Sequence, residues 1–328
     1  MSRKNTIIGA IVLTVLILYP FFGPRFWVYS IVARGLVLGT IALSLVFLTS
    51  QAGITSLVQM SVAGFAGYLY ALTSVTSVGI GIAMPWPLSI LIALAGGTLF
   101  ATVVGVLSAR TKDVYVLMIT LAISYGFYLF VRGNYDLFNG IDGFGGVRPP
   151  EVLGINWRQP TPFYFLTLGC AIGAYSLVRY VERTQFGLAL RGMRDSSRRI
   201  TALGYQVELQ KIFAFAIAGL VASVGGLLSV WYNIRISPGS VDLSRTLSIL
   251  VIAVIGGVTH PIGPFIGGVL YTLVDSFAID FFDRARFNSV IGAVFVVVLM
   301  FSPDGLVGIG QRLLRSARNV RNRKAEAE

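Results

Sequence analysis

About ten stretches of mainly apolar residues run through this chain, each close to the length that a helix needs to cross a lipid bilayer. The hydrocarbon core of a bilayer is about 30 Å thick, so a spanning helix needs about 20 such residues. The stretches are Thr6 to Phe22, Val28 to Leu48, Leu57 to Val75, Pro87 to Ser108, Val114 to Arg132, Pro162 to Val181, Ile212 to Tyr232, Leu243 to Val258, Ile262 to Ile279 and Phe287 to Phe301. Glycines in and near the last three favour short or broken helices there. The sequence therefore predicts an all-α polytopic membrane protein.

The composition excludes the main soluble classes. Only 12% of the 328 residues are charged and 55% are hydrophobic, whereas an ordinary globular protein is about a quarter charged. A single cysteine, Cys170, excludes an internal disulfide and a cysteine-based zinc site, and a single histidine, His260, excludes a multi-histidine metal centre. We therefore expect no metal site, no cofactor-binding site and no nucleic-acid partner for this chain.

The net charge of +12 is unevenly distributed along the chain. With the first residue inside and ten crossings, most of the 26 lysines and arginines fall in segments on the inner side, as positively charged loops of membrane proteins do. Both termini are then cytoplasmic. The basic tail, residues 309–328, carries Arg312, Arg315 and Arg318 at a spacing of three, which predicts an amphipathic helix on the anionic lipid surface.

Two connecting segments are longer than most helix connections. The segment from Gly133 to Thr161 is rich in glycine and proline and is predicted to be an ordered external loop. The inner segment, residues 182–210, predicts a short helix from Ser197 to Leu203, capped by Asp195 or Ser196 and ended by Gly204. Its apolar residues Ile200 and Leu203 fit a docking element for another subunit. The alternative is that the arginines of this segment only fix the topology of the chain.

A polar run between the second and third apolar stretches supplies candidates for a translocation path. Backbone that leaves a helix at membrane depth must be packed in protein or line a cavity. The candidate path residues are Gln51, Ser56, Gln59 and Ser61. The alternative is an ordinary turn whose side chains bond neighbouring helices.

Two further features predict structural roles inside the membrane. Arg34, inside the second stretch, predicts snorkelling to the headgroups or pairing with a carboxylate. The glycine runs 219–226 and 263–268 predict close helix packing.

Six sequence patterns, in order, resemble those of the branched-chain amino acid ABC transporter permeases of the LivM type. They are Gly53-x-x-Ser56-Leu57 with Gly64 and Tyr68, Tyr115 with Thr120-Leu121-Ala122, Gly140-x-Asp142-Gly143, Phe186-Gly-x-Ala-Leu-Arg-x-x-Arg, Gly256-Gly257 with Gly263-Pro264, and Pro303-x-Gly305-Leu306-x-Gly308. The chain departs from the family pattern at Ile54, Gln59, Thr259 and His260. These departures fall in segments that resemble substrate-facing parts, so they leave the identity of the solute open.

The resemblance implies a single permease domain over residues 1–328, in a bacterial cell inner membrane, that imports branched-chain or other apolar amino acids. It implies that residues 182–210 are a cytoplasmic coupling loop that docks on the ATPase subunits. The residues expected to couple to the ATPase are Phe186, Gly187, Arg191, Arg194, Asp195, Ile200, Leu203 and Gly204. The implied partners are a second, LivH-like permease, two ATP-binding cassette subunits and a periplasmic or lipid-anchored solute-binding protein.

Energy must then come from outside the chain. The phosphate-binding pattern G-x-x-x-x-G-K-[ST] does not occur in the sequence, so we expect a transport subunit that is not itself an enzyme, with ATP bound by its partners. Uptake of urea, amides or aromatic carboxylates by the same family remains open. An ion-coupled secondary transporter or a passive channel is the alternative from another class.

Overall fold

The computed structural model describes residues 14–21, 23–74, 82, 84–111, 114–150, 154, 156–281, 305–306 and 308. Of the first predicted span, Thr6 to Phe22, residues 14–21 are described, and they are helical. The last predicted span, Phe287 to Phe301, and the basic tail, residues 309–328, lie outside the described residues.

Helices make up nearly all of the regular structure of the described residues. After the helical residues 14–21 they are α1 Trp27–Ala52, α2 Gln59–Thr73, α3 Trp86–Ala109, α4 Val114–Gly133, α5 Tyr135–Phe138, α6 Pro160–Arg183, α7 Gln185–Ala202, α8 Val207–Asn233, α9 Leu243–Gly256 and α10 Gly263–Phe281. The first and last turns of α1 are π-helical, at Trp27–Ala33 and Leu48–Ala52. Two short strands, β1 Phe144–Gly145 and β2 Arg235–Ile236, pair antiparallel, and a 3₁₀ turn follows at Pro238–Ser240.

The predicted all-α polytopic fold is confirmed. Every predicted span between Val28 and Ile279 coincides with one helix. Among the described residues, 6 helices are long and apolar enough to cross a membrane: α1, α3, α4, α6, α8, and α9 together with the 3₁₀ turn before it. Helix α2 has only 15 residues, because the chain enters it through a non-helical segment at residues 53–58.

Helix α8 is the centre of the bundle and packs against α1, α2 and α3. Its glycines permit close approach: Gly225 faces Ile41 of α1, Gly226 faces the main chain of Ala63 in α2, and Gly219 faces Ala101 of α3. Lipid provides no hydrophobic drive between helices, so this packing of small residues is what holds them together. The predicted packing role of the 219–226 run is confirmed.

The bundle has two distinguishable ends, because α8 begins next to α7 and finishes next to β2. We call them the α7 end and the sheet end. The predicted ordered loop lies at the sheet end: Tyr70 Oη donates to the Arg148 carbonyl at 3.1 Å, and Tyr68 contacts Phe138 and Phe144 edge to face. The described part of this loop therefore covers the sheet end of α2.

Candidate functional site

The α7 segment folds back onto the helix that precedes it. Thr184 Oγ1 accepts a hydrogen bond from the Gly187 N–H and caps the start of α7. Gly187 lies against the main chain of Val181 and Glu182, so a side chain there has no room. This tight connection folds the start of α7 back over the end of α6 and brings Arg191 next to Glu182.

A closed ring of hydrogen bonds joins α7 to the end of α1 and the end of α6. Gln51 Nε2 donates to Glu182 Oε1 at 3.0 Å, Arg191 Nε donates to Gln51 Oε1 at 2.8 Å, and Arg191 Nη2 donates to the Glu182 carbonyl at 2.6 Å. Arg179 Nη1 also donates to Glu182 Oε2 at 2.9 Å. Both carboxylate oxygens of Glu182, which is 7% exposed, therefore have a partner, as a buried carboxylate requires.

Arg194, one helical turn after Arg191, fixes the place where α1 ends. Its Nη1 donates to the Ser50 carbonyl at 2.5 Å, which satisfies one of the carbonyls left open at a helix terminus. Its aliphatic stem lies over Gly53, where a Cβ would come within 2.8 Å of Arg194 Cγ. Gly53 has φ +69°, a left-handed conformation that glycine adopts without steric cost. Helix α1 therefore stops under α7.

Beyond Gly53 the chain turns back into the bundle as a non-helical segment before α2 begins. Gln59, the first residue of α2, lies 3.0 Å from Ser44 Oγ through its Oε1. Ser44 lies eight positions before the last residue of α1, so α2 begins about 12 Å inside the α7 end. Two backbone groups of this segment bond side chains of the bundle: the Ile54 carbonyl accepts from Thr49 Oγ1 at 3.4 Å, and the Leu57 N–H donates to Thr120 Oγ1 at 3.1 Å.

The candidate path residues divide into two groups. Gln51 is part of the ring at the α7 end, and these bonds favour an anchoring role over the path role predicted for it. Ser56, Gln59 and Ser61 are buried along the recessed start of α2. Gln59 Nε2 has no hydrogen-bond partner in the described part of the chain, and leaving such a group buried costs about 1–3 kcal/mol.

A layer of hydroxyl groups crosses the bundle at the level of Ser61. Ser61 Oγ lies 2.6 Å from Ser124 Oγ in α4, which lies 3.3 Å from Thr246 Oγ1 in α9. Ser124 and Thr246 were not predicted as site residues, and Thr120 was named only within a family pattern, because isolated hydroxyls in apolar stretches give no signal of their partners.

One small cavity lies between α2, α8 and the segment around β2, and its volume is about 10 Å³, room for about one water molecule. Its lining includes Met60, Gly64, Ser229, Asn233, Arg235 and Ser240. Since ligand pockets for small molecules usually measure about 300–1,000 Å³, this cavity is closed to a solute in the described conformation.

The predicted helix in the inner segment is longer than expected. Helix α7 runs from Gln185 to Ala202, with one residue, Ser196, in an extended conformation. Its second part begins after Ser196 and ends before Gly204, as predicted, and Gly204 has φ +88°. The first part was missed because two glycines, Gly187 and Gly192, argue against a helix there. It forms because Leu190 and Met193 are buried against the bundle.

The prediction that Ile200 and Leu203 together form an exposed apolar docking face is wrong for Ile200. Ile200 is only 9% exposed and packs against Gly192 within α7, whereas Leu203 is 71% exposed. Of the remaining predicted coupling residues, Phe186 is half-buried, Gly187 is buried, and Arg191, Arg194, Asp195 and Gly204 are exposed. The free tip of the segment therefore consists of Leu203, Gly204 and the exposed Tyr205, with Arg198 and Arg199 beside it.

Groups of three or more histidine, cysteine, aspartate or glutamate side chains that could hold a metal ion do not occur within the described ranges. The site is instead a connection between a surface segment and the membrane helices. Helices broken at membrane depth are a recurring feature of membrane transport proteins. The chain belongs to the family described as the permease component of the branched-chain amino acid transport system, which matches residues 28–299. The resemblance found in the sequence is thereby confirmed.

Several known proteins are similar to the chain. A probable branched-chain amino acid transport permease protein LivH of Methanocaldococcus jannaschii is 27% identical over 161 residues, 46% of this chain and 49% of that protein. The probable LivM protein of the same organism is 24% identical over 245 residues, 70% of this chain and 69% of that protein. A ribose import permease protein, RbsC, of Haemophilus influenzae is 22% identical over 255 residues, 74% of this chain and 76% of that protein.

The match to LivH spans about half the length of that relative, whereas the matches to LivM and RbsC span more than two thirds of theirs. The comparison with solved structures gave no match.

Proposed function

We propose that this chain is the membrane-spanning permease subunit of a bacterial ABC importer for branched-chain or other apolar amino acids. ATP would be hydrolysed by two separate ATP-binding cassette subunits, and this chain would not be an enzyme. A second, LivH-like permease and a solute-binding protein outside the membrane would complete the assembly. The observation that carries the proposal is an exposed tip at Leu203 and Gly204, anchored through α7 to α1 and α6, in a chain of the permease family.

The distribution of charge supports an orientation with the α7 end and both termini in the cytoplasm. Basic residues at the α7 end include Arg110, Arg183, Arg191, Arg194, Arg198, Arg199 and Lys211. Those at the sheet end are fewer and more widely spaced: Arg25, Arg132, Arg148, Arg158, Arg235 and Arg245. Short loops with an excess of lysine and arginine stay on the cytoplasmic side, so α7 would face the ATPases of a bacterial inner membrane.

The solute is proposed from the relatives, two of which carry branched-chain amino acid transport in their names. A sugar is the second candidate, because a ribose import permease matches a larger share of this chain than either of them. The hydroxyl layer around Ser61, Ser124 and Thr246 carries no formal charge. A weakly polar route of this kind suits an importer whose external binding protein does the selecting.

Uptake by the reconstituted complex tests the proposal. The complex is purified through a tag on this chain, placed in proteoliposomes with the solute-binding protein, and supplied with radiolabelled leucine, ribose or urea. We expect leucine uptake that requires ATP hydrolysis and persists when an uncoupler removes the proton gradient. Uptake of leucine without ATP would contradict the proposal, and ATP-dependent uptake of ribose alone would favour the sugar reading.

Replacing Leu203 by aspartate is expected to reduce co-purification of the ATPase subunits at least tenfold while the chain still inserts. A carboxylate at the centre of a desolvated contact costs far more than at its rim. Ile141→Asp is the matched control, because Ile141 is a comparably exposed aliphatic residue at the sheet end. Unchanged co-purification of the Leu203→Asp variant would show that the ATPases dock elsewhere.

A further inference from the structure

The ring of Gln51, Glu182 and Arg191 lies between the exposed tip of α7 and the non-helical segment that leads into α2. Helix α7 carries the tip on its second part, and its first part holds Arg191 and Arg194. Those two arginines bind the last residues of α1, at Gln51 and the Ser50 carbonyl. Any displacement of α7 therefore moves the end of α1 with it, because the contact is a set of short, charge-assisted hydrogen bonds.

The segment that continues from this contact leads to the middle of the bundle. Gly53 follows Gln51 by two residues and is covered by the stem of Arg194. Residues 54–58 then run to Gln59 at the start of α2, with Ser56 and Val58 fully buried. Residues 53–58 are thus the covalent link between this contact and α2, which carries Ser61 and lines the water-sized cavity through Met60, Ala63 and Gly64.

The hydrogen bonds of the ring fix the relative positions of its three residues, in addition to neutralising the charge of Glu182. Gln51 uses both polar ends of its amide, one toward a carboxylate and one toward a guanidinium. Arg191 reaches the main chain of the same glutamate whose side chain Gln51 binds. Each of the three residues thus bonds the other two, so losing one leaves buried polar groups of the others without a partner.

We propose that Gln51 is a positioning residue for transport: with Glu182 and Arg191 it forms a latch that transmits movement of α7 to the recessed start of α2. This inference rests on the proposed function, since it requires that α7 moves with the ATPase subunits. It assigns Gln51 to coupling, with no direct contact to the solute. Its specific consequence is that breaking the latch separates ATP hydrolysis from solute movement.

The test measures leucine transported per ATP hydrolysed by the reconstituted complex. For Gln51→Leu we expect leucine uptake to fall at least tenfold while ATP hydrolysis stays within about twofold of the unmodified complex. A purely structural role would lower both rates together, because it would only reduce the amount of intact complex. Glu208→Gln is the matched control: it removes one carboxylate at the same end, from an exposed contact with Arg110 at 3.8 Å, and should leave the ratio unchanged.

An exchange of side chains separates the latch from general misfolding. Gln51→Glu alone places two carboxylates together and should uncouple transport as strongly as Gln51→Leu. Combining it with Glu182→Gln puts the amide opposite the carboxylate again, and should recover the ratio to within about threefold. An unchanged ratio in Gln51→Leu, or no recovery in the exchanged pair, would overturn the latch. Absence of ATP-dependent uptake in the unmodified complex would instead overturn the proposed function.

Discussion

Replacing Gly226 by alanine is expected to destabilise the whole bundle, whereas the same replacement at Gly173 is expected to leave it intact. Gly226 lies where α8 crosses α2, and a Cβ there would come within 2.6 Å of the Ala63 carbonyl carbon. The obstacle is main chain, which cannot rotate away as a side chain does. Gly225, on the adjacent face of α8, lies against Ile41 of α1, so α8 cannot move away from α2 without disturbing a second contact.

We therefore expect Gly226→Ala to lower the free energy of unfolding by about 3 kcal/mol, the upper end of the usual cost of overpacking. The unfolding midpoint in detergent, followed by size-exclusion recovery after heating, measures this change. At Gly173 in α6 a Cβ meets no atom within 4 Å, so Gly173→Ala should be neutral, or stabilising by up to about 1 kcal/mol through helix propensity. Equal midpoints for the two variants would contradict the packing described for α8.

Hydropathy predicts the helices of this fold well because a bilayer leaves the chain few alternatives. The span predicted from Val28 to Leu48 and helix α1, Trp27–Ala52, differ by only a few residues. The third span was predicted from Leu57 and α2 begins at Gln59, so the boundary was close, but its depth beside Ser44 was not predicted. Apolar content gives the existence of a span but not its depth, since Leu57 and Val58 are as apolar in a non-helical segment as in a helix.

Only the second part of α7 could be predicted from the sequence. Capping residues predicted its second part, because Ser196 and Gly204 act locally. Its first part depends on burial of Leu190 and Met193 by helices distant in the sequence. Similarly, Gln51 was singled out as a polar residue at membrane depth, but its partner Glu182 is 131 positions away. A polar residue can be recognised from one sequence, whereas the contact that gives it a role cannot.

Removing the carboxylate of Asp275 is expected to be nearly as costly as the glycine replacement. Arg34 was predicted either to snorkel or to pair with a carboxylate, and its Nη2 lies 2.7 Å from Asp275 Oδ2. The pair joins α1 to α10 beside the close contact of Gly35 with Val269. Breaking one partner of a buried ion pair costs about 3–5 kcal/mol. Because the Arg34 side chain is 26% exposed, we expect about 2–3 kcal/mol for Asp275→Asn after allowance for solvent screening.

The unfolding midpoint again measures this cost, and Glu208→Gln serves as the control. The Glu208 and Arg110 side chains are 59% and 85% exposed and lie 3.8 Å apart, so breaking that pair should cost less than about 0.5 kcal/mol. Exchanging the charges, by Arg34→Asp with Asp275→Arg, should recover more than half of the stability lost in Asp275→Asn. A midpoint for Asp275→Asn equal to that of the control would contradict a stabilising role for the pair.

The charge exchange also separates an ATP-driven permease from an ion-coupled transporter. Ionisable residues inside membrane helices commonly mark ion pathways, and Asp275, at 7% exposure, is a candidate for such a role. If the pair only holds α1 against α10, leucine uptake by the exchanged variant should stay within about threefold of the unmodified complex and remain independent of the proton gradient. If Asp275 carried a proton during transport, moving the carboxylate to α1 would abolish uptake even though stability is restored. If uptake fails although the unfolding midpoint recovers, the result would count against an ATP-driven permease and favour an ion-coupled transporter.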